Sequence, residues 1–264
     1  ITTGSSANKF GVSFDEAERL YAKGSNLPGV RIVGLALHIG SQILEFDAME
    51  LAFAKIRGLV NRLRGLGFPV ERLDLGGGVG VPYDIPQPFH YGPDVVHAYA
   101  DMVGRVTHGL DIELGFEPGR VIVANAGILV TRALYVNERS DRKFLVVDAA
   151  MNDLVRPAMY EAYHEIWPVT QPEVEAETTA YDVVGPICES GDTFAVGRLL
   201  PRIRPGDLVA FKTAGAYGAT MSSNYNQRLL VAEVLVRGDR FSITRPRQTY
   251  EDLLGQDRRP KWLS

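Results

Sequence analysis

The sequence predicts an α/β region followed by an all-β region. Three observations carry that prediction. Apolar strand-like runs alternate with amphipathic helical stretches over the first 120 of the 264 residues. Past that point the helical period disappears. Short β-type runs broken by Gly, Pro, Asp and Asn take its place. The boundary falls near residues 118 to 124 without an obvious linker, dividing the chain into parts 1–120 and 121–264.

The elements follow in order. SFDE at 13–16 has the form of a capping box ahead of AERLYAKG, a short helix stopped at Gly24. VRIVGLALHIG (30–40) has the unbroken apolar character of a strand buried on both faces. DAMELAFAKIRGLVNRLRGLG (47–67) places Met49, Phe53, Ile56, Val60 and Leu63 on one helical face behind an Asp-x-x-Glu start. The strand VERLDLGGG, a helix from Pro93 and the strand DIELGFEPGR complete a parallel-sheet pattern with helical crossovers. In the second part, RVIVANAGILVTRALYV, KFLVVDAA, AYDVVGP, GDLVAFKT and RLLVAEVLV read as strands of an antiparallel sheet or barrel.

Composition narrows the function. Hydrophobic residues make up 45% and charged residues 23%, enough apolar material for a core. A net charge of -4 lacks the basic face that nucleic acid needs. The densest apolar stretch, VIVANAGILV, is too short to span a bilayer, and ITTGSSANKF lacks the apolar centre of a secretion signal. The single cysteine, Cys188, excludes an intrachain disulfide and suits a reducing cytoplasm. No metal is expected.

Three predicted parallel strands end in polar or glycine-rich tips: HIGSQ (38–42), Gly76-Gly77-Gly78, and Glu117-Pro118-Gly119-Arg120. Ligands of parallel α/β sheets sit at such carboxyl ends. Each tip alone has an ordinary explanation. Triple glycine is commonly a tight turn, although bare backbone N–H groups also suit an anion. His38 could be a satisfied core histidine, Ser41 a turn cap, and Glu117 and Arg120 a salt-bridged pair. The second part adds Arg156 and Tyr160, four apart around Pro157, close enough to share a face if that segment is helical. Cys188 and Glu189 lie among Pro186, Gly191 and Asp192, turn-forming and polar neighbours that do not suit a core. Tyr217 sits among small residues in TAGAYGAT, a closely approached loop or a plain hairpin turn.

Together, HIGSQ (38–42), LDLGGGVGVPY (73–83), EPGR (117–120), VDAAMNDLVRPAMY (147–160), GPICESGD (185–192) and GAYG (215–218) resemble the diaminopimelate decarboxylases. These are fold-type III, alanine-racemase-like enzymes that use pyridoxal 5′-phosphate. The resemblance implies the last three strands of a cofactor-binding (β/α)8 barrel, then an antiparallel β-barrel or sandwich domain whose last segment packs back on the barrel. It implies decarboxylation of meso-2,6-diaminopimelate to L-lysine in lysine biosynthesis, by a cytoplasmic homodimer with shared active sites.

By that resemblance Glu117 meets the cofactor's pyridine nitrogen and His38 its ring face. Ser41, Gly76, Gly77, Gly78, Gly119, Arg120 and Tyr217 contact the phosphate. Arg120, Arg156 and Tyr160 clamp the substrate's distal carboxylate, with Tyr217 nearby, while Glu189 holds the distal ammonium and Cys188 returns a proton. The family's cofactor-bearing lysine lies in an early barrel strand. None of Lys9, Lys23, Lys55, Lys143, Lys212 and Lys261 sits in that motif. At about 30 residues per β/α unit, roughly 150 residues of such a barrel fall outside this sequence. The expectation is therefore an inactive piece of a longer enzyme. The alternatives are an ornithine, arginine or carboxynorspermidine-type decarboxylase, or a lysine-less homologue that only binds.

Overall fold

The computed structural model describes residues 9–84, 93–172 and 176–263. The chain forms two compact units, Ile1–Val123 and Ala124–Ser264.

In the first unit, helix α1 (Phe14–Gly24) begins on the expected capping box. Ser13 Oγ accepts from the Glu16 N–H at 3.2 Å, and the Glu16 carboxylate accepts from the Ser13 N–H at 3.1 Å. Strands β1 (Gly34–Ala36), β2 (Arg72–Asp74) and β3 (Glu113–Gly115) run parallel in that order, with Leu35, Leu73 and Leu114 in register. Helices α2 (Asp47–Gly65) and α3 (Pro93–Thr107) make the crossovers. The predicted α2 face is the core face: Met49, Phe53, Ile56, Val60 and Leu63 are all buried, packed with Leu73, Leu75, Met102 and Val103. Each such side chain stabilises the unit by about 1.5–3 kcal/mol.

Two expectations change here. The Asp-x-x-Glu start of α2 does not cap it. Its N-cap is Phe46, without a side-chain bond, and Asp47 and Glu50 instead place negative charge in the first turn, beside the positive end of the helix dipole. VRIVGLALHIG pairs over only three residues, Gly34–Ala36, and these are half-buried to exposed.

The second unit is a six-stranded sheet in the order β6-β9-β4-β5-β7-β8, with a separate hairpin of β10 (Glu233–Arg237) and β11 (Arg240–Arg245). Its members are β4 (Leu129–Glu138), β5 (Lys143–Val147), β6 (Ile166–Pro168), β7 (Thr178–Val184), β8 (Thr193–Pro201) and β9 (Leu208–Phe211). The sheet is mixed and not purely antiparallel, since β5 and β7 pair in parallel. The β-branched run after Arg120 also departs from expectation. It forms helix α4 (Arg120–Val123) and a 3-10 turn at Ala124–Ala126 before β4 begins. The Ile122 and Val123 N–H groups both donate to the Gly119 carbonyl, so the turn at Pro118-Gly119 continues as helix and overrides local β-propensity. Val147, Leu145, Val183, Val209 and Phe211 fill the core. The one-turn helix α5 (Arg156–Tyr160) follows the β5 end, and α6 (Tyr250–Leu254) lies near the C-terminus. Among the described residues, no helix is long and apolar enough to cross a membrane.

Candidate active site

The carboxyl ends of β1, β2 and β3 are stitched together by backbone hydrogen bonds. Leu37 N–H donates to Asp74 O at 3.0 Å, Leu75 N–H to Gly115 O at 2.9 Å, and Glu117 N–H to Gly76 O at 2.9 Å. The triple glycine is what allows this closeness. A Cβ at Gly76 would overlap the Leu37 carbonyl oxygen, one at Gly77 that of Glu117, and one at Gly78 that of Gly40. Gly76 and Gly78 also take positive φ, at 67° and 96°. The loop thus lies flush against both neighbouring tips, with His38 and Glu117 immediately beside it.

His38 is exposed at its tip, so it is not a core histidine. Arg120 does not form the salt-bridged loop with Glu117. Its buried guanidinium donates to Ser41 Oγ at 3.1 Å and to Tyr83 Oη at 2.5 Å. Glu117 stays exposed. The structure therefore brings together every candidate of the first unit: His38, Ser41, Gly76, Gly77, Gly78, Glu117, Gly119 and Arg120. Gln42, at φ 66°, adds a clamp. Its side chain accepts from Val81 N–H at 3.2 Å and donates to the Val81 carbonyl, pinning the first tip to the second.

In the second unit, Cys188 and Glu189 are exposed on the loop joining β7 to β8. Asp192 anchors that loop. Its carboxylate accepts from Ile187 N–H at 2.8 Å and Met151 N–H at 2.6 Å, tying it to the segment after β5. Burial pushes the Asp192 carboxyl up, opposed by those two N–H groups. Tyr225 Oη donates to Glu189 at 3.1 Å, and that bond raises the phenol, keeping it a donor. On α5 the two candidates separate: Arg156 is buried, while Tyr160 is exposed. Arg156 Nη1 lies 2.8 Å from His164 Nε2. Tyr217 is held at φ 59° in a tight turn where a Cβ at Gly218 would overlap the Ala214 carbonyl oxygen. A strained non-glycine residue in such a turn persists only where its surroundings fix it.

Residues 19–215 match the family model described as pyridoxal-dependent decarboxylase, C-terminal sheet domain. The chain belongs to the pyridoxal-dependent decarboxylase family. It is 45% identical to the diaminopimelate decarboxylase of Zymomonas mobilis, over all of this chain and 61% of that protein. Against the Pseudomonas aeruginosa diaminopimelate decarboxylase, identity is 46% over 96% of this chain and 59% of the relative. A crystal structure of the Helicobacter pylori diaminopimelate decarboxylase complexed with L-lysine superposes with a TM-score of 0.88 and 37% identity, covering 97% of this chain and 62% of that one. The chain thus spans about three fifths of these relatives' length.

The tip residues suit the family's cofactor. The glycine loop leaves no Cβ between its backbone and an approaching anion, Ser41 brings a hydroxyl, and Glu117 offers an exposed carboxylate beside that loop. Of the six lysines, none lies at the tips of β1, β2 or β3. Sequence reasoning missed Gln42, Tyr83, His164 and Tyr225. HIGSQ and LDLGGGVGVPY contain the first two, but nothing local assigns them partners 37 to 39 residues away.

Proposed function

We propose that this chain supplies the ring, phosphate and distal-substrate contacts of a pyridoxal-phosphate-dependent diaminopimelate decarboxylase. The polypeptide carrying it would convert meso-2,6-diaminopimelate to L-lysine and carbon dioxide. The observation that carries the reading is the convergence of His38, Gly76–Gly78, Glu117, Ser41 and Arg120 at one sheet end in a chain of this family.

Bound pyridoxal phosphate supplies the electron sink that takes up the electron pair left by the departing carboxylate. Glu117 holds a proton on the pyridine nitrogen, because a carboxylate beside it favours the cationic form. His38 would pack against the ring. The Gly76–Gly78 and Gly119-Arg120 N–H groups and the Ser41 hydroxyl would donate to the phosphate. In the second unit, Arg156 and Tyr160 would hold the distal carboxylate, which L-lysine retains after the reaction, and Tyr217 would contact the substrate. An arginine suits this task because its donors match both carboxylate oxygens.

Glu189, oriented by Tyr225, takes the distal ammonium. Cys188, exposed on the same loop, would deliver a proton to the α-carbon. Cys188 and Glu189 serve the partner's site in a cytoplasmic homodimer. A decarboxylase for ornithine or arginine is disfavoured, because Arg156 would oppose a cationic distal end. The test is the intact mass of the protein from its natural host after borohydride reduction with pyridoxal phosphate. A longer polypeptide with cofactor fixed to a lysine is expected. A 264-residue product without cofactor would leave the non-catalytic reading.

A further inference from the structure

Among the described residues of the second unit, His164 is the most buried polar side chain, at 1% exposure, and it has no assigned contact with cofactor or substrate. The chain reverses after α5 at Glu161, whose φ is 53°, and this fold-back brings residue 164 against residue 156. His164 Nε2 then lies 2.8 Å from Arg156 Nη1, and Nδ1 lies 2.8 Å from the Lys212 carbonyl oxygen. A guanidinium can only donate, so Nε2 must accept. The ring proton is therefore on Nδ1, where it donates to the Lys212 carbonyl, and the imidazole is neutral with one tautomer fixed. The backbone of His164 is also held, since its carbonyl accepts from Arg198 Nη1 at 2.9 Å.

We propose that His164 is a positioning residue for Arg156, aiming the guanidinium at the carboxylate end of the ligand. This inference rests on Arg156 as the distal-carboxylate clamp.

The test compares L-lysine with cadaverine, which is lysine without its carboxylate, by calorimetry on the full-length cofactor-loaded protein. The variants are His164→Met, which keeps volume and loses the strong acceptor, His164→Gln, which restores an acceptor near Nε2, and Arg156→Ala. His164→Met should weaken L-lysine binding about tenfold, the effect of one lost hydrogen bond to a charged group, with cadaverine unchanged. His164→Gln should recover most of that loss. In turnover, His164→Met should raise KM for diaminopimelate by a similar factor with kcat nearly constant. Equal weakening of lysine and cadaverine, or loss of fold in both His164 variants, would assign His164 a purely structural role and overturn the proposal. If Arg156→Ala weakens lysine but His164→Met does not, the positioning inference alone fails. If Arg156→Ala leaves lysine binding unchanged, the clamp reading itself fails.

Discussion

Replacing Asp192 by alanine should loosen two segments at once. Its carboxylate, in a residue only 3% exposed, accepts from the backbone N–H groups of Ile187 and Met151. One donor lies in the Cys188 loop and the other in the segment after β5 that leads into α5. The alanine variant strands both donors. Both donors are part-buried, so leaving each without a partner costs at most about 1–3 kcal/mol, and the two together at most roughly 2–6 kcal/mol of local stability. Taking about 1.4 kcal/mol per donor as a conservative figure, amide exchange should quicken about tenfold in each segment. Hydrogen–deuterium exchange with mass spectrometry, on peptides spanning 147–154 and 185–193, reads both. Asp192→Asn keeps one acceptor oxygen and should protect one segment better than the other. Faster exchange at 185–193 with 147–154 unchanged would show that the carboxylate does not tie the two together. In the full-length protein, the same variant should lower kcat, because Cys188 loses its fixed place.

Three further outcomes follow from the same geometry. Gly77→Ala drives a Cβ into the Glu117 carbonyl oxygen; the strand tips must part, at about 1–3 kcal/mol, and cofactor retention on dialysis should fall sharply, whereas unchanged retention would contradict the cradle. Glu117→Gln should lower kcat by about 100-fold or more with a small change in KM, since only the ring proton is lost; equal kcat would refute that role. Burial raises the Asp153 carboxyl above its ordinary value of 3.8, opposed by Ala150 N–H and Arg228. A raised carboxyl contributes stability that is complete below that ordinary value and is lost as pH rises through the folded value. Asp153→Asn should therefore flatten the fall of Tm with pH above about 4, and an unchanged slope would contradict it.

Much of the fold was legible because it is written locally. The α2 face from Met49 to Leu63 declares its period, the Ser13–Glu16 box declares a helix start, and the three apolar runs declare parallel strands. What was illegible depends on distant partners. The strand-like residues after Arg120 became helix through the turn at Gly119, and β8, interrupted by Gly197 at φ 62°, gave a broken strand signal. The mixed β5-β7 pairing follows from topology alone. The same holds for the site. Its tips could be read as motifs, but Gln42 on Val81, Tyr225 on Glu189 and His164 on Arg156 and Lys212 join residues whose spacing signals nothing. One alternative was also settled by packing, since Arg120 turned to Ser41 and Tyr83 and left Glu117 exposed.

The proposed grip on a distal carboxylate is tested by product release from the full-length protein with pyridoxal phosphate, offered meso-diaminopimelate, ornithine or arginine at equal concentration. Diaminopimelate should give carbon dioxide and L-lysine in equal amounts, with the two cationic substrates slower by about 100-fold or more, as expected where a charged group lacks its partner. Preferred turnover of ornithine or arginine would contradict it.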